Sequence, residues 1–183
     1  MTLDRQPTLE GDRLLLRPLR ADDWEALFAA ACDPAIWAGH PAHDRWREPV
    51  FRDFFAEALT KGGALVVIDK ASGAVIGSSR FQEYDPADGG SVEIGWTFLA
   101  RSHWGGTYNR ELKRLMLAHA LRSVEQAIFL VGKDNIRSRT AMTRIGGRLT
   151  DRTTRATMAG KETTHVVFEI GRADFAAGPL ASG

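Results

Sequence analysis

Apolar positions along the chain follow two rhythms: short runs that suit strands, and three- and four-residue spacings that suit helices. Leu14, Leu15 and Leu16 form a run that Pro18 ends, which predicts a strand over 13–19. Asp22 and Asp23 then open a helix carrying Trp24, Leu27 and Phe28. Residues 33–49 shift to Pro, Gly, His and Trp and read as an irregular aromatic loop. A second amphipathic helix follows over 50–59, with Phe51, Phe54, Phe55 and Ala58 on one side. Strands over 64–68, 74–81 and 91–99 make an antiparallel meander, separated by the turn clusters 69–73 and 85–90. Beyond Leu99 a glycine turn leads into a long helix over 108–122, in which Leu112, Leu115, Met116 and His119 recur at helical spacing. Residues 128–131 read as a buried strand. Asn135 caps a helix through Arg144, and Gly146 and Gly147 stop it. A hairpin over 148–157 and 163–170 completes the pattern. The order predicts one domain over 13–170, preceded by an N-terminal extension, 1–12, and followed by a small-residue-rich tail, 171–183, expected to be loosely ordered.

Composition narrows the function classes. The 183 residues are 44% hydrophobic and 26% charged, enough for one substantial core. Lys and Arg number 24 against 23 Asp and Glu, so the net charge of +1 gives no field for a nucleic-acid backbone or an anionic membrane. The single cysteine, Cys32, excludes an internal disulfide framework and a cysteine-rich zinc site. No apolar run approaches the ~20 residues needed to span a bilayer, and residues 1–10 lack a signal-peptide pattern, so a cytoplasmic protein is expected.

The strongest chemical signal is the strand that runs out into Trp104, Gly105, Gly106, Thr107, Tyr108 and Asn109 before a helix begins. Backbone amides of such a turn, and of a helix's first turn, have no intrahelical acceptor and suit phosphate oxygens. A tight connection alone would look the same. The turn is not a P-loop, because no Gly-Lys-Ser or Gly-Lys-Thr follows, nor a dinucleotide fingerprint, because the glycines are adjacent instead of spaced. A second polar stretch, Val131 to Ser138, lies at the next strand end and helix start. A right-handed crossover would set the two strand ends side by side and form a ligand crevice at their carboxyl ends.

With this order of elements, the Trp104 to Asn109 turn and the Asn135 to Gly146 stretch, the chain resembles the GNAT N-acetyltransferase superfamily, in the branch of ribosomal-protein N-terminal acetyltransferases. The resemblance runs from about Arg13 to Ile170. It implies an α+β, three-layer α/β fold: a mixed central sheet of about seven strands flanked by helices, with two splayed parallel strands that bind acetyl-CoA. By position it implies that the backbone of Phe98, Leu99 and Ala100 pairs with pantetheine. It further implies that the Gly105 to Asn109 amides hold the diphosphate, with His103 and Trp104 beside them. Asn135 would contact the pantetheine arm, Ser138 would lie near the thiol, and Arg144 would reach the phosphates or cap its helix. The chain departs from the pattern at three places. Thr107 stands at the second key glycine, Asn109 where Gly or Ala is usual, and Met142 where many members carry a tyrosine that protonates the departing thiolate. Ser138 or a water then serves, or the thiolate leaves unassisted.

Acetyl transfer to an amine needs a neutral nucleophile, a polarised carbonyl and a stabilised leaving sulfur. Glu93, six residues before Leu99, is the candidate base, directly or through a water; an exposed strand residue paired with an Arg is the alternative. Glu83 and Asp85 end the preceding strand near the same crevice. Trp37, His40, His43, Arg45 and Trp46 lie where the superfamily builds its acceptor pocket, and would suit a small amine with an apolar or anionic part, or a peptide N-terminus; core packing of both tryptophans is the other reading. His40 and His43 lack a Cys or carboxylate pattern beside them, so no metal is expected. The favoured function is therefore acetyl-CoA-dependent N-acetylation of a small-molecule amine or a protein N-terminus by direct attack on the thioester. The alternatives are an acyl-CoA-binding domain with little catalysis and a nucleotide-binding module. No nucleic-acid or membrane partner is expected, and a homodimer is left open.

Overall fold

The computed structural model describes residues 2–181, and positions 1, 182 and 183 of the two predicted terminal segments lie outside the described residues. The chain runs through β1 (Leu9–Glu10), β2 (Leu14–Pro18), α1 (Trp24–Ala31), α2 (Pro34–Trp37), α3 (Glu48–Lys61), β3 (Ala64–Asp69), β4 (Val75–Asp85) and β5 (Ser91–Leu99). It continues through α4 (Thr107–Ala120), β6 (Gln126–Gly132), α5 (Ile136–Arg144), β7 (Arg148–Met158), β8 (Lys161–Gly171) and α6 (Arg172–Ala177). The strands form one mixed sheet in the order β1-β2-β3-β4-β5-β6-β8-β7. Every neighbouring pair is antiparallel except β5 and β6, which are parallel.

Strand alternation explains why the sheet needs helices on both faces. On β3, Leu65 and Val67 enter one apolar cluster with Leu112, Met116 and Leu117 of α4, while Ala64 and Val66 enter another with Leu27 of α1 and Phe51, Phe54 and Ala58 of α3. The result is a three-layer sandwich, as the sequence pattern predicts.

Four details differ from the sequence expectations. The sheet has eight strands because Leu9 and Glu10 pair with Leu16 and Leu15, a segment too short to show periodicity. The aromatic loop contains a single helical turn, α2, whose start is capped by the Asp33 carboxylate accepting from the Ala35 amide at 2.9 Å. Helix α3 begins at Glu48, two residues early, because Pro49 sits in the first turn, where its missing N–H costs nothing. The tail is ordered instead of loose: α6 forms, and Leu180 is 1% exposed in the same cluster as Leu3. Neither end shows a helical or strand pattern long enough to reveal this.

Two features of the sheet position the site. The β5–β6 ladder pairs only Ser91 to Glu93 with Gln126 to Ile128, after which the strands diverge. Beyond that point β6 stays paired on its other side, from Phe129 with Phe168 to Gly132 with His165. On β5 the register against β4 also shifts between Ser78 and Arg80, and Trp96 takes a φ of 53°. Such a bulge bends the strand away from its former partner.

Candidate active site

A cavity of about 490 Å³ lies at the C-terminal end of β5. Gly105 and Gly106 form its turn at φ of 109° and 104°, and a Cβ on either would meet open space, so the backbone conformation and not crowding demands glycine here. The amides from Gly105 to Asn109 have no acceptor among the described residues, whereas Arg110 donates to the Gly106 carbonyl and begins the helical ladder. Together they form a cradle of free N–H groups at the positive end of α4. Arg110, Arg137 and Arg144 line the same cavity, and the Arg137 guanidinium stacks 4.2 Å from the centre of the Trp104 ring. This donor set suits a phosphorylated ligand.

The wall of that cavity is the unpaired end of β5. Ala100 donates its amide to the Ile76 carbonyl at 2.7 Å, so by alternation the N–H and C=O of Leu99 face the gap toward β6. The Leu99 carbonyl accepts from the Trp104 indole at 2.9 Å, which leaves its N–H free. Phe98, Leu99, His103, Trp104, Gly105, Gly106, Asn109, Ser138 and Arg144 all line this one cavity. Ala100 does not, and its engaged amide explains why. Thr107 and Tyr108 contribute their amides; the Tyr108 ring turns aside to meet His103 edge-on at 4.7 Å.

A second cavity of about 440 Å³ opens through the diverging strands. His40, Thr97, Asn109, Ser138 and Ala141 line both cavities, so the two meet there. Asn135 lines the second one and also caps α5, its side-chain oxygen accepting from the Ser138 amide at 3.2 Å. That bond fixes where Ser138 sits at the junction. Met142 is buried and lines this cavity with a thioether that has no proton to give.

The polar groups of the second cavity are desolvated. Glu93 is buried, and burial together with the Glu83 carboxylate pushes it up to about 7, against a smaller opposing pull from Arg80. Glu83 lines the same cavity, whereas Asp85 lines neither. His40 is pulled down to about 3, first by burial and then by Arg45, Arg137 and His165, so it is neutral at pH 7. Its Nδ1 accepts from the Ala42 amide at 2.9 Å, which puts the proton on Nε2. Lys113 of α4 donates to the Thr97 hydroxyl at 2.7 Å, and its burial lowers it to about 7. Thr97 in turn lies 2.8 Å from the Ser79 hydroxyl.

The expected acceptor cluster divides. Arg45 lines the second cavity, whereas Trp37 is 2% exposed and lines the first, donating its indole N–H to the Ala31 carbonyl. Trp46 is 39% exposed and lines neither, because its segment turns outward ahead of α3. Sequence reasoning missed Thr97, Lys113, Arg137 and His165. Lys113 had a signal: a lysine among the apolar positions of α4 between Leu112 and Met116. His165 had none, because β8 is joined to the site only by the sheet order.

Comparison with known proteins gives the same outline. Residues 13–148 match the family described as an acetyltransferase (GNAT) domain. Among solved structures, a GCN5-related N-acetyltransferase from Brucella melitensis is 23% identical over 94% of this chain and 81% of that chain, with a TM-score of 0.82. Mycobacterium smegmatis RimJ in complex with CoA-disulfide is 16% identical over 92% and 86%, with a TM-score of 0.72. A spermidine N-acetyltransferase from Vibrio cholerae in complex with CoA and spermine is 16% identical over 90% and 99%, with a TM-score of 0.67. At these identities the likeness speaks for the fold. No curated protein matches the chain in sequence.

Proposed function

Because the chain belongs to the GNAT acetyltransferases, we propose that it moves an acetyl group from acetyl-CoA to a primary amine of a small molecule or a protein N-terminus. A small-molecule amine is represented by name among its structural neighbours, in the spermidine N-acetyltransferase with CoA and spermine, and RimJ with CoA-disulfide shares the fold. The observation that carries the reading is the unpaired stretch of β5 and β6, with one cavity on either side meeting at Thr97 and Ser138.

Acetyl-CoA supplies the activated acyl group, and the residues do the rest. The Gly105 to Asn109 amides, helped by Arg110, Arg137 and Arg144, hold the diphosphate end. The free Leu99 N–H serves the pantetheine arm. Glu93 takes a proton from the acceptor ammonium; a base near neutrality is best matched to that task, and burial supplies the match. The junction is closed by side chains that exclude water and direct donors inward: Ser138, whose position the Asn135 cap fixes, and His40 through Nε2. Met142 leaves proton delivery to the sulfur to the Ser138 hydroxyl or a water.

The test is calorimetric titration with acetyl-CoA and CoA, with ATP as control, followed by a panel of amines and peptide N-termini watched for free thiol. Binding of CoA with amine-dependent thiol release is expected. CoA binding without release from any amine would favour a binding domain, the reading that Met142 supports, and competition by ATP but not CoA would overturn both.

A further inference from the structure

The second cavity holds an arginine without an ion-pair partner that the acetyl-transfer chemistry does not use. Arg45 lines its wall, and its guanidinium has no hydrogen bond or ion pair among the described residues. Its guanidinium carbon lies 4.5 Å from the centre of the Phe54 ring and 5.3 Å from that of Trp37. On the other side of the same Phe54 environment, the Arg80 guanidinium lies 5.2 Å from Phe54 and 4.9 Å from Trp96, which also lines the cavity. Arg80 is 1% exposed, and both of its terminal nitrogens are buried without a hydrogen-bond partner.

The charge count is simple. Glu57 is the one carboxylate within ion-pair range of Arg80 among the described residues; it stands off at 3.7 Å, half exposed, and is engaged by Lys61 at 2.9 Å. Glu93, pushed up to about 7, is only partly ionised near neutrality and makes no ion pair with either arginine among the described residues. Burial and the neighbouring Arg80 lower Arg45 only to about 10, so both guanidiniums are charged at pH 7. Glu83 lines the cavity as well but makes no ion pair with either arginine, so the Arg45 guanidinium has no contacting anion among the described residues, in a desolvated setting where an unpaired ion is costly and a matching one is strongly favoured. Ring faces offset part of that cost but bring no negative charge. A cationic group beside Arg45 would be repelled, whereas a carboxylate there would supply the ion pair it lacks. Part of the lining is apolar, with Ile94, Phe129, Met142 and Met158.

We propose that the acceptor is a primary amine that also carries a carboxylate and an apolar body, with Arg45 receiving the carboxylate at the cavity wall and Arg80 supplying charge from behind. The inference rests on the acetyl-transfer reading, which supplies the amine, but its test reads binding alone. The probes are N-acetyl-L-methionine and N-acetyl-L-phenylalanine, each against its carboxamide, titrated calorimetrically into CoA-saturated protein; each pair differs only in the negative charge. The acids are expected to bind at least ~10-fold tighter than the amides, about 1.4 kcal/mol. Arg45→Gln should bring each pair within twofold at unchanged CoA affinity, and Arg45→Lys should keep part of the preference. Equal binding of acid and amide, binding of neither, or a preference that survives Arg45→Gln overturns the proposal. Thiol release absent with every amine, while the acid preference persists, would overturn only the acetyl-transfer reading.

Discussion

The cavity at the end of β5 takes its polarity from main-chain amides around Gly105 and Gly106, whereas the cavity through the diverging strands takes it from side chains: Arg45, Glu83, Glu93, Lys113 and His165. The amide cradle of the first is made by one local turn and the helix that follows, with Arg137 and Arg144 of α5 beside it. The second is assembled from a loop, two strands of the meander, a helix on the far face and the last hairpin. Amides of a helix start carry fixed partial charges that need no desolvation of an ion, while the second cavity holds ionisable groups whose protonation burial has shifted. A backbone-built half is expected to tolerate changes of side chain, because the amides of Thr107 and Asn109 stay free whatever side chains they carry. A side-chain-built half does not, and its chemistry is set residue by residue.

That contrast can be broken first at Glu93. Glu93→Gln should lower amine-dependent turnover by ~10²-fold or more, the usual scale for a general base, with CoA affinity unchanged in calorimetry. In the parent protein the rate should rise with pH through about 7 as the carboxylate fills. The same shift makes Glu93 cost stability as pH climbs from 4.5 toward about 7, because the folded form holds the proton more tightly than the unfolded. Glu93→Gln should therefore melt higher than the parent at pH 8 while being nearly inactive. A variant with parental turnover would remove Glu93 from the chemistry.

Gly105→Val attacks the other half. A branched side chain at φ 109° strains the turn and moves the amide cradle, so CoA should bind at least ~10-fold more weakly, about 1.4 kcal/mol. Full affinity in a folded variant would show that the amides are not the binding groups. The smallest effect separates the two halves most finely. Asn135→Ala removes the α5 cap and should cost about 1 kcal/mol, seen as a melting temperature lower by ~2–4 °C. An unshifted melting temperature would sink the capping role.

How much of this could be read from the sequence follows the same divide. β5 is found at residues 91–99 as its alternation predicts, and the Trp104 to Asn109 turn and the Asn135 cap are each written in a few consecutive residues. Local chemistry of this kind survives in a one-dimensional pattern. Arg80 does not show itself, because a charged residue in an amphipathic element reads as a solvated face until its neighbours are known. Trp37 and Trp46 illustrate the limit: nine residues apart and alike in composition, one is enclosed between α1 and Phe98 and the other faces solvent. Leu9, Glu10 and Leu180 were illegible for a related reason, since a two-residue strand and a lone leucine carry no period.

Leu180 has one more consequence. It lies with Leu3 in the cluster beneath α4, the Pro179 carbonyl accepts from Arg110 of that helix, and Pro179 also crowds Gly146 just beyond α5. During synthesis the earlier elements emerge first, yet this cluster stays unsealed until residue 180 has been made. A nascent chain halted in β8 would hold a nearly complete sheet with an open apolar seam beside α4, the form most exposed to chaperone capture and aggregation.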